Sequence, residues 1–513
     1  MLFNSYEFLF VFLPITAIVF WLARIHISLR VAVGWLVLAS LVFYAWWNPV
    51  YVPLLAGSAL VNFQLGIWLA DAQRWRLTLL RLGLVWNIGL LAYFKYTDFF
   101  LASLNTVAGT QIPLPHIVLP LALSFFTFQK IAYLIDVYRG EVTVRKLGDF
   151  LLFVTFFPQL ITGPIVHYRD IVPQIGLTPA KGPRAEDIAL GLTLFSVGLF
   201  KKVLLADGIG VQVNALYQLA GKGEALDLFQ SWTMALSYTL QLYFDFSGYS
   251  DMATGLARLF GIRLPQNFDS PLKSANMLEF WRRWHMTLSR FLRDYVYFPL
   301  GGGRGGLASK CFNMTVTFMV SAIWHGAGWT FVWFGVYQST VVVINMLWAE
   351  LRAWLRWGER VWWDHGLAIA LNFFVWTGGL VLFRSDSVAT ALSVWSGMAG
   401  LHGAQLPQHW QHALGGLGEH LQAAGVQFAA GSHLLQAQQL LRIALLAVLA
   451  FALPNIYAFT ARFDPVIRHD KLEVKVPRFA WQPNLLWGLI IGAMALLAAC
   501  SLSNVSEFLY FQF

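Results

Sequence analysis

The first side chain of this sequence that could do chemistry stands in a long run that carries no charge. From Cys311 to Trp348 there is no Asp, Glu, Lys or Arg, and near the centre of that run lies Trp324-His325-Gly326-Ala327. A run of ~20 apolar residues is long enough to span a bilayer. An ionisable ring at that depth is costly unless it faces a bundle interior or a water-filled cavity. Imidazole is also the side chain best suited to take and return a proton near neutral pH. His325 is therefore the first candidate for a reactive group, inside the membrane region.

A second histidine lies in the segment Glu279 to Ser289. At helical spacing Trp281, His285, Leu288 and Leu292 share one face. Arg282, Arg283, Arg290 and Arg293 occupy the other, so an amphipathic helix is expected. His285 then either hydrogen-bonds a neighbour or joins His325 in a shared cavity, one ring acting as base and the other positioning a partner. Two acids, Asp245 and Asp251, interrupt the apolar run from Leu242. Six positions apart, they do not share a helical face. Acids in a membrane pair with bases or backbone donors, and the arginines of 282–293 are the expected partners. Both an ion-pair role and a site-lining role remain open. Gly301, Gly303 and Gly306 match the spacing of a dinucleotide fingerprint, but no βαβ unit surrounds them. A basic loop beside Arg293 is the expectation. No zinc-site spacing occurs. The two cysteines, Cys311 and Cys500, read as buried thiols.

These groups need a scaffold, and the composition says which. The 513 residues are 58% hydrophobic and only 12% charged, against about 25% charged in a soluble domain. An all-α, polytopic membrane bundle of about 10–12 spans is predicted, as one integral membrane domain over residues 1–513. Candidate spans run from 7–23 through 229–258 and 311–345 to 484–502. The run at 148–167 is broken by Gly163-Pro164, so a re-entrant segment is predicted there. A polar insertion of about 401–436 should carry one amphipathic helix. The net charge of +9 comes from residues scattered between spans, which argues against nucleic-acid binding. Without a basic stretch before it, the first apolar run is expected to remain as a membrane helix. Arg24, Arg30, Arg74, Arg76 and Arg81, with the loop Arg462 to Arg478, are expected on the cytoplasmic side. Both termini would then be external.

The chain resembles the membrane-bound O-acyltransferases, in the bacterial branch that O-acetylates exported polysaccharides such as alginate. The residues that carry the resemblance are Phe43 to Trp47, Tyr93-Phe94-Lys95-Tyr96 and Ile135 to Gly140. Further along come Phe157-Pro158-Gln159 with Gly163-Pro164, Tyr243 to Asp251, Phe280 to His285, Arg293-Asp294-Tyr295, Trp324-His325-Gly326 and the ending Phe508 to Phe513. The resemblance implies that His325 is the catalytic histidine and His285 its second histidine. It also implies a ring of helices around a tunnel in a bacterial inner membrane. The implied donor is acetyl-CoA, with no bound cofactor or metal. The implied partners are a periplasmic acetyltransferase and polysaccharide export machinery. Under that reading His325 takes the proton of an attacking hydroxyl. The Trp324 indole N–H, the Gly326 N–H or Asn313 donates to the oxyanion. Competing readings are D-alanyl transfer to teichoic acid, a transporter using the histidines as relays, and a scaffold that needs neither.

Overall fold

The computed structural model describes residues 1–143, 146–356, 362–429, 436–469, 476–502 and 508–509. The basic positions Lys471 and Lys475 of the expected cytoplasmic loop, and Tyr510 to Phe513 of the ending, lie outside the described residues. Among those described, six helices are long and apolar enough to cross a bilayer: Phe8–His26, Pro49–Asp71, Arg76–Ala108, Ala185–Gly221, Trp329–Trp354 and Asp364–Arg384. Four shorter apolar helices join them, at Leu29–Ala45, Val388–Met398, Ala437–Ala452 and Leu485–Cys500. The all-α membrane bundle is thus as expected. Ile18, Leu22, Val85, Ile88, Leu367 and Leu371 point outward and are exposed. That is a defect in water and a match to lipid tails.

At the centre runs the helix Leu228–Leu259, buried along nearly its whole length. Asp227 starts it. The Asp227 carboxylate accepts from the Phe229 and Gln230 amides at 2.8 and 3.1 Å, while Gln230 accepts from the Asp227 amide at 3.3 Å. This capping box satisfies donors that a helix start leaves open. Against it packs Ala185–Phe200, in backbone contact at two glycine pairs. A Cβ on Gly191 would sit 2.9 Å from the Gly255 carbonyl oxygen, and one on Gly198 would sit 2.5 Å from that of Gly248. The reverse substitutions meet the same fate, at 2.5 Å for Gly255 and 2.8 Å for Gly248.

The two acids of this central helix do not meet the arginines of 282–293. Asp245 pairs with Lys202 at 2.7 Å, and Asp251 pairs with Lys201 at 2.6 Å. Both lysines belong to a π-helical turn, Lys201–Ala206, at the end of Ala185–Phe200. That wider turn lets consecutive lysines reach acids six positions apart. The arginines find nearer partners: Arg283 with Glu279, Arg290 with Asp170 and Arg293 with Asp294.

Two expectations about local structure need correction. The run 311–345 is not one span; it is two helices, Gly306–His325 and Trp329–Trp354, meeting at an extended Gly326 to Gly328 link. The insertion holds two short helices, Gln408–Leu414 and Gly416–Ala423, between parallel strands Gln405–Pro407 and Gln427–Ala429. Leu406 and Val426 form its small core, which a single helix could not have enclosed. Residues 430–435 lie outside the described residues. Gly163-Pro164 does interrupt its run, after the short helices Leu147–Thr155 and Phe157–Leu160.

The two ends of the bundle are distinguishable by contacts. At one, Arg24 donates to the Thr178 carbonyl at 2.8 Å, Gln174 to that of Arg263 at 2.9 Å, and the Gln266 amide to that of Ile467 at 3.1 Å. At the other, the Tyr6 hydroxyl donates to the Ala499 carbonyl at 3.2 Å. The start of the first membrane helix therefore lies beside the end of the last.

Candidate active site

His325 is the final residue of the helix Gly306–His325, and its side chain is buried. It is therefore at a helix end rather than in the middle of a span. Its ring lies edge-on to Phe383 at 5.3 Å and 4.9 Å from the Trp324 ring. Phe331 completes this wall, 5.3 Å from Phe383. Gly326 is required by that packing, because a Cβ there would fall 2.0 Å from the Phe331 ring.

His285 is not within a continuous amphipathic helix. The helix Met277–Arg283 stops, His285 adopts a left-handed φ of 42°, and a new helix begins at Met286. A non-glycine residue in that region costs about 1–3 kcal/mol, and Asn267 holds it there. The Asn267 carbonyl accepts from the Met286 amide at 2.9 Å. Its side-chain oxygen contacts His285 Nδ1 at 3.0 Å and accepts from the Thr287 hydroxyl at 2.9 Å. The Asn267 amide nitrogen donates to Ser250 at 3.0 Å. An oxygen that accepts in this way requires a proton on His285 Nδ1, so the neutral ring carries its lone pair on Nε2. Phe246 packs against the ring edge-on at 4.8 Å.

The two histidines flank one indole. The Trp324 ring is 6.2 Å from that of His285 and 4.9 Å from that of His325, and it stacks on Phe128 at 5.1 Å. Among the described residues, its buried Nε1–H has no hydrogen-bond partner. Replacing His285 with alanine should lower the transfer rate by about 10²-fold. Initial rates at matched protein level check this, and an unchanged rate would reduce His285 to packing.

Two cavities approach this layer. The larger, of about 820 Å³, is lined by Trp281, Arg282, Arg283, Arg293 and Lys310, and it reaches Gln266 and Ile467, at the end marked by Arg24. The smaller, of about 490 Å³, is lined by His325, Trp324 and Lys95 and reaches Met1 and Glu7. Ser321 borders the first cavity and His325 the second; four positions apart, they are separated by about 6 Å along the helix axis.

Of the remaining candidates, Arg293 lines the larger cavity. Asp245 and Asp251 line neither; their carboxylates are committed to Lys202 and Lys201. Asn313 is more than three turns from His325, and its amide donates to the Gly302 carbonyl at 2.9 Å. It is a brace for the glycine loop and lies too far along its helix to serve His325. Lys95 was not singled out from the sequence. Its signal was available, since it is the only charged residue between Leu82 and Thr97 and such a residue in a span marks a partner or a path.

The rim of the larger cavity is built on Asp170. Arg290 pairs with it at 2.8 Å, His469 lies at 3.6 Å, and Arg290 also contacts His469. Burial pushes the Asp170 carboxyl up. The His469 hydrogen bond and the Arg290 guanidinium outweigh it, and hold the group well below the usual carboxylate range. A depressed folded value means stability that is present above the unfolded pKa of about 4 and is lost as pH falls through the folded one. Asp170→Asn should cost about 3 kcal/mol at neutral pH. In thermal unfolding the gap from wild type should close on acidification, and a gap that persists in acid would refute the assignment.

The sequence profile of the MBOAT, membrane-bound O-acyltransferase family matches residues 141–383. The peptidoglycan O-acetyltransferase of Helicobacter pylori is 38% identical over 447 residues, covering 79% of this chain and 81% of that protein. The probable alginate O-acetylase AlgI of Azotobacter vinelandii is 37% identical over 410 residues, 78% of each chain. The teichoic acid D-alanyltransferase of Streptococcus thermophilus is 32% identical over 257 residues, covering 47% of this chain and 60% of its own. With this likeness extending over most of its length, the chain belongs to the membrane-bound O-acyltransferase family and is an O-acyltransferase.

Proposed function

We propose that the chain moves an acetyl group from cytoplasmic acetyl-CoA through the bacterial inner membrane for O-acetylation of an exported or envelope polysaccharide, handing it on through a periplasmic partner. The observation that carries this reading is the pair of cavities reaching toward opposite ends of the bundle, one lined by Ser321 and the other by His325 of the same helix. Arg24 and the Ile467 segment support a cytoplasmic opening for the larger cavity. Its arginines and Lys310 suit the phosphates of a coenzyme. Both termini are then external. The acetyl-transfer names of the two relatives with the longer coverage favour acetyl over D-alanyl.

The chemistry follows from the layer between the cavities. An acceptor hydroxyl in the outer cavity gives its proton to His325 as its oxygen attacks the thioester carbonyl. The oxyanion takes the Trp324 Nε1–H, a buried donor already desolvated for that task. As the carbon–sulfur bond breaks, the proton returns from His325 to the coenzyme sulfur, leaving an ester and a free thiol. His285, its tautomer fixed by Asn267, positions the other side of the indole.

Sealed vesicles test the reading. Labelled acetyl-CoA added outside inverted inner-membrane vesicles that contain the partner and glycan should label the enclosed acceptor. Right-side-out vesicles should give none. Labelling from both sides would overturn the direction of transfer, and labelling only from a D-alanyl carrier would overturn the acyl group.

A further inference from the structure

A helix end leaves four carbonyl oxygens without intrahelical partners. The helix that ends at His325 has no left-handed cap, because Gly326 continues in an extended conformation with φ −159°. Two consecutive side chains of the Arg76–Ala108 helix fill that role. The Tyr96 hydroxyl donates to the Ile323 carbonyl at 2.7 Å. The Lys95 ammonium donates to the Trp324 carbonyl at 2.6 Å and to the His325 carbonyl at 2.9 Å. Three successive carbonyls are thus held by one neighbouring helix. The ammonium also lies against the negative end of the helix dipole, and it lines the outer cavity together with His325.

We propose that Lys95 is a positioning residue for the transfer reaction: with Tyr96 it clamps the last three peptide carbonyls of the His325 helix and so fixes the imidazole at the floor of the outer cavity. The inference rests on His325 being the reacting base. The clamp is specific in what it restrains. Its hydrogen bonds go to peptide carbonyls of the helix end. Gly326 to Gly328 is an extended link with two glycines, so the backbone beyond His325 does not itself cap the helix end. A displacement of about 1 Å at a reacting group can cost about 10²-fold in rate, and loss of both Lys95 bonds frees the two carbonyls nearest the ring.

The test measures acetyl transfer by Lys95→Met, Lys95→Arg and Tyr96→Phe in the full-length protein, with His325→Ala alongside. Lys95→Met should lower kcat about 10²-fold with KM for acetyl-CoA and for acceptor unchanged. Lys95→Arg, which can still donate to both carbonyls, should recover most of that loss. Tyr96→Phe should show a smaller fall, again in kcat alone. Wild-type kcat in Lys95→Met, a loss carried by KM, or equal losses in the Met and Arg variants would each overturn the proposal. Should Lys95→Met fail to accumulate, Tyr96→Phe decides: reduced kcat at constant KM supports the clamp, and wild-type kcat removes it. Full activity in His325→Ala would instead strike at the base itself, leaving the two failures distinguishable.

Discussion

Replacing His325 with alanine should lower acyl transfer by about 10²–10⁴-fold, the usual contribution of a positioned general base, while the protein still folds and inserts. The ring ends a helix, so its removal breaks no backbone bond; the Lys95 bonds go to peptide carbonyls that alanine keeps. The side chain packs against Trp324 and Phe383, and the gap it leaves lies at the edge of a cavity that already exists. Activity should therefore fall far more than stability. The measurement is labelled acetyl transfer at matched expression, with thermal unfolding in detergent as the control for folding. Wild-type transfer by the alanine variant would leave the fold in place and remove the base mechanism.

Asp245→Asn should act in the opposite sense, on folding rather than on chemistry. Asp245 is buried at the contact between two central helices. One carboxylate oxygen pairs with Lys202 at 2.7 Å, and the other accepts from the Leu509 amide at 3.1 Å. Lys202 also holds Asp207 at 2.8 Å. Removing one member of a buried pair leaves an uncompensated charge and costs about 3–5 kcal/mol; asparagine keeps the shape, so the loss is electrostatic. The remaining Asp207 contact moderates the cost without abolishing it. The expected result is a marked fall in folded yield and melting temperature, with the molecules that do fold keeping near-normal turnover. A normal yield with lost activity would move Asp245 into the transfer site.

Much of this architecture can be read from one chain because lipid restricts the choices. Long apolar runs such as Phe8–His26 and Trp329–Trp354 can only be helices in a bilayer. His325 is singled out by its type and its uncharged surroundings. What escaped the sequence depends on residues far apart in it. The helical face drawn through Trp281, His285 and Leu288 obeys the right period, but Asn267 bends the backbone at His285 through bonds that no local pattern announces. Pattern alone matches the acids of the central helix to the most numerous cations, whereas a π-turn roughly forty to fifty positions upstream presents two lysines at closer range. Lys95 was visible as a lone charge, yet its role depends on a helix end 229 positions away. Asn313 shares a helix with His325 and shares nothing else, because its amide turns to Gly302.

The paired glycines between Ala185–Phe200 and Leu228–Leu259 have a mechanical consequence. At Gly191 with Gly255, and again at Gly198 with Gly248, each backbone occupies the space where the other would carry a methyl group. Two such points fix both translation and rotation, as two pins fix a hinge leaf to its frame. Sliding either helix would drive a carbonyl oxygen into a neighbouring turn, so these two helices hold as one unit. At Phe331, Phe383 and Trp324, by contrast, the contacts are between rings, and a ring can turn where a pinned backbone cannot slide.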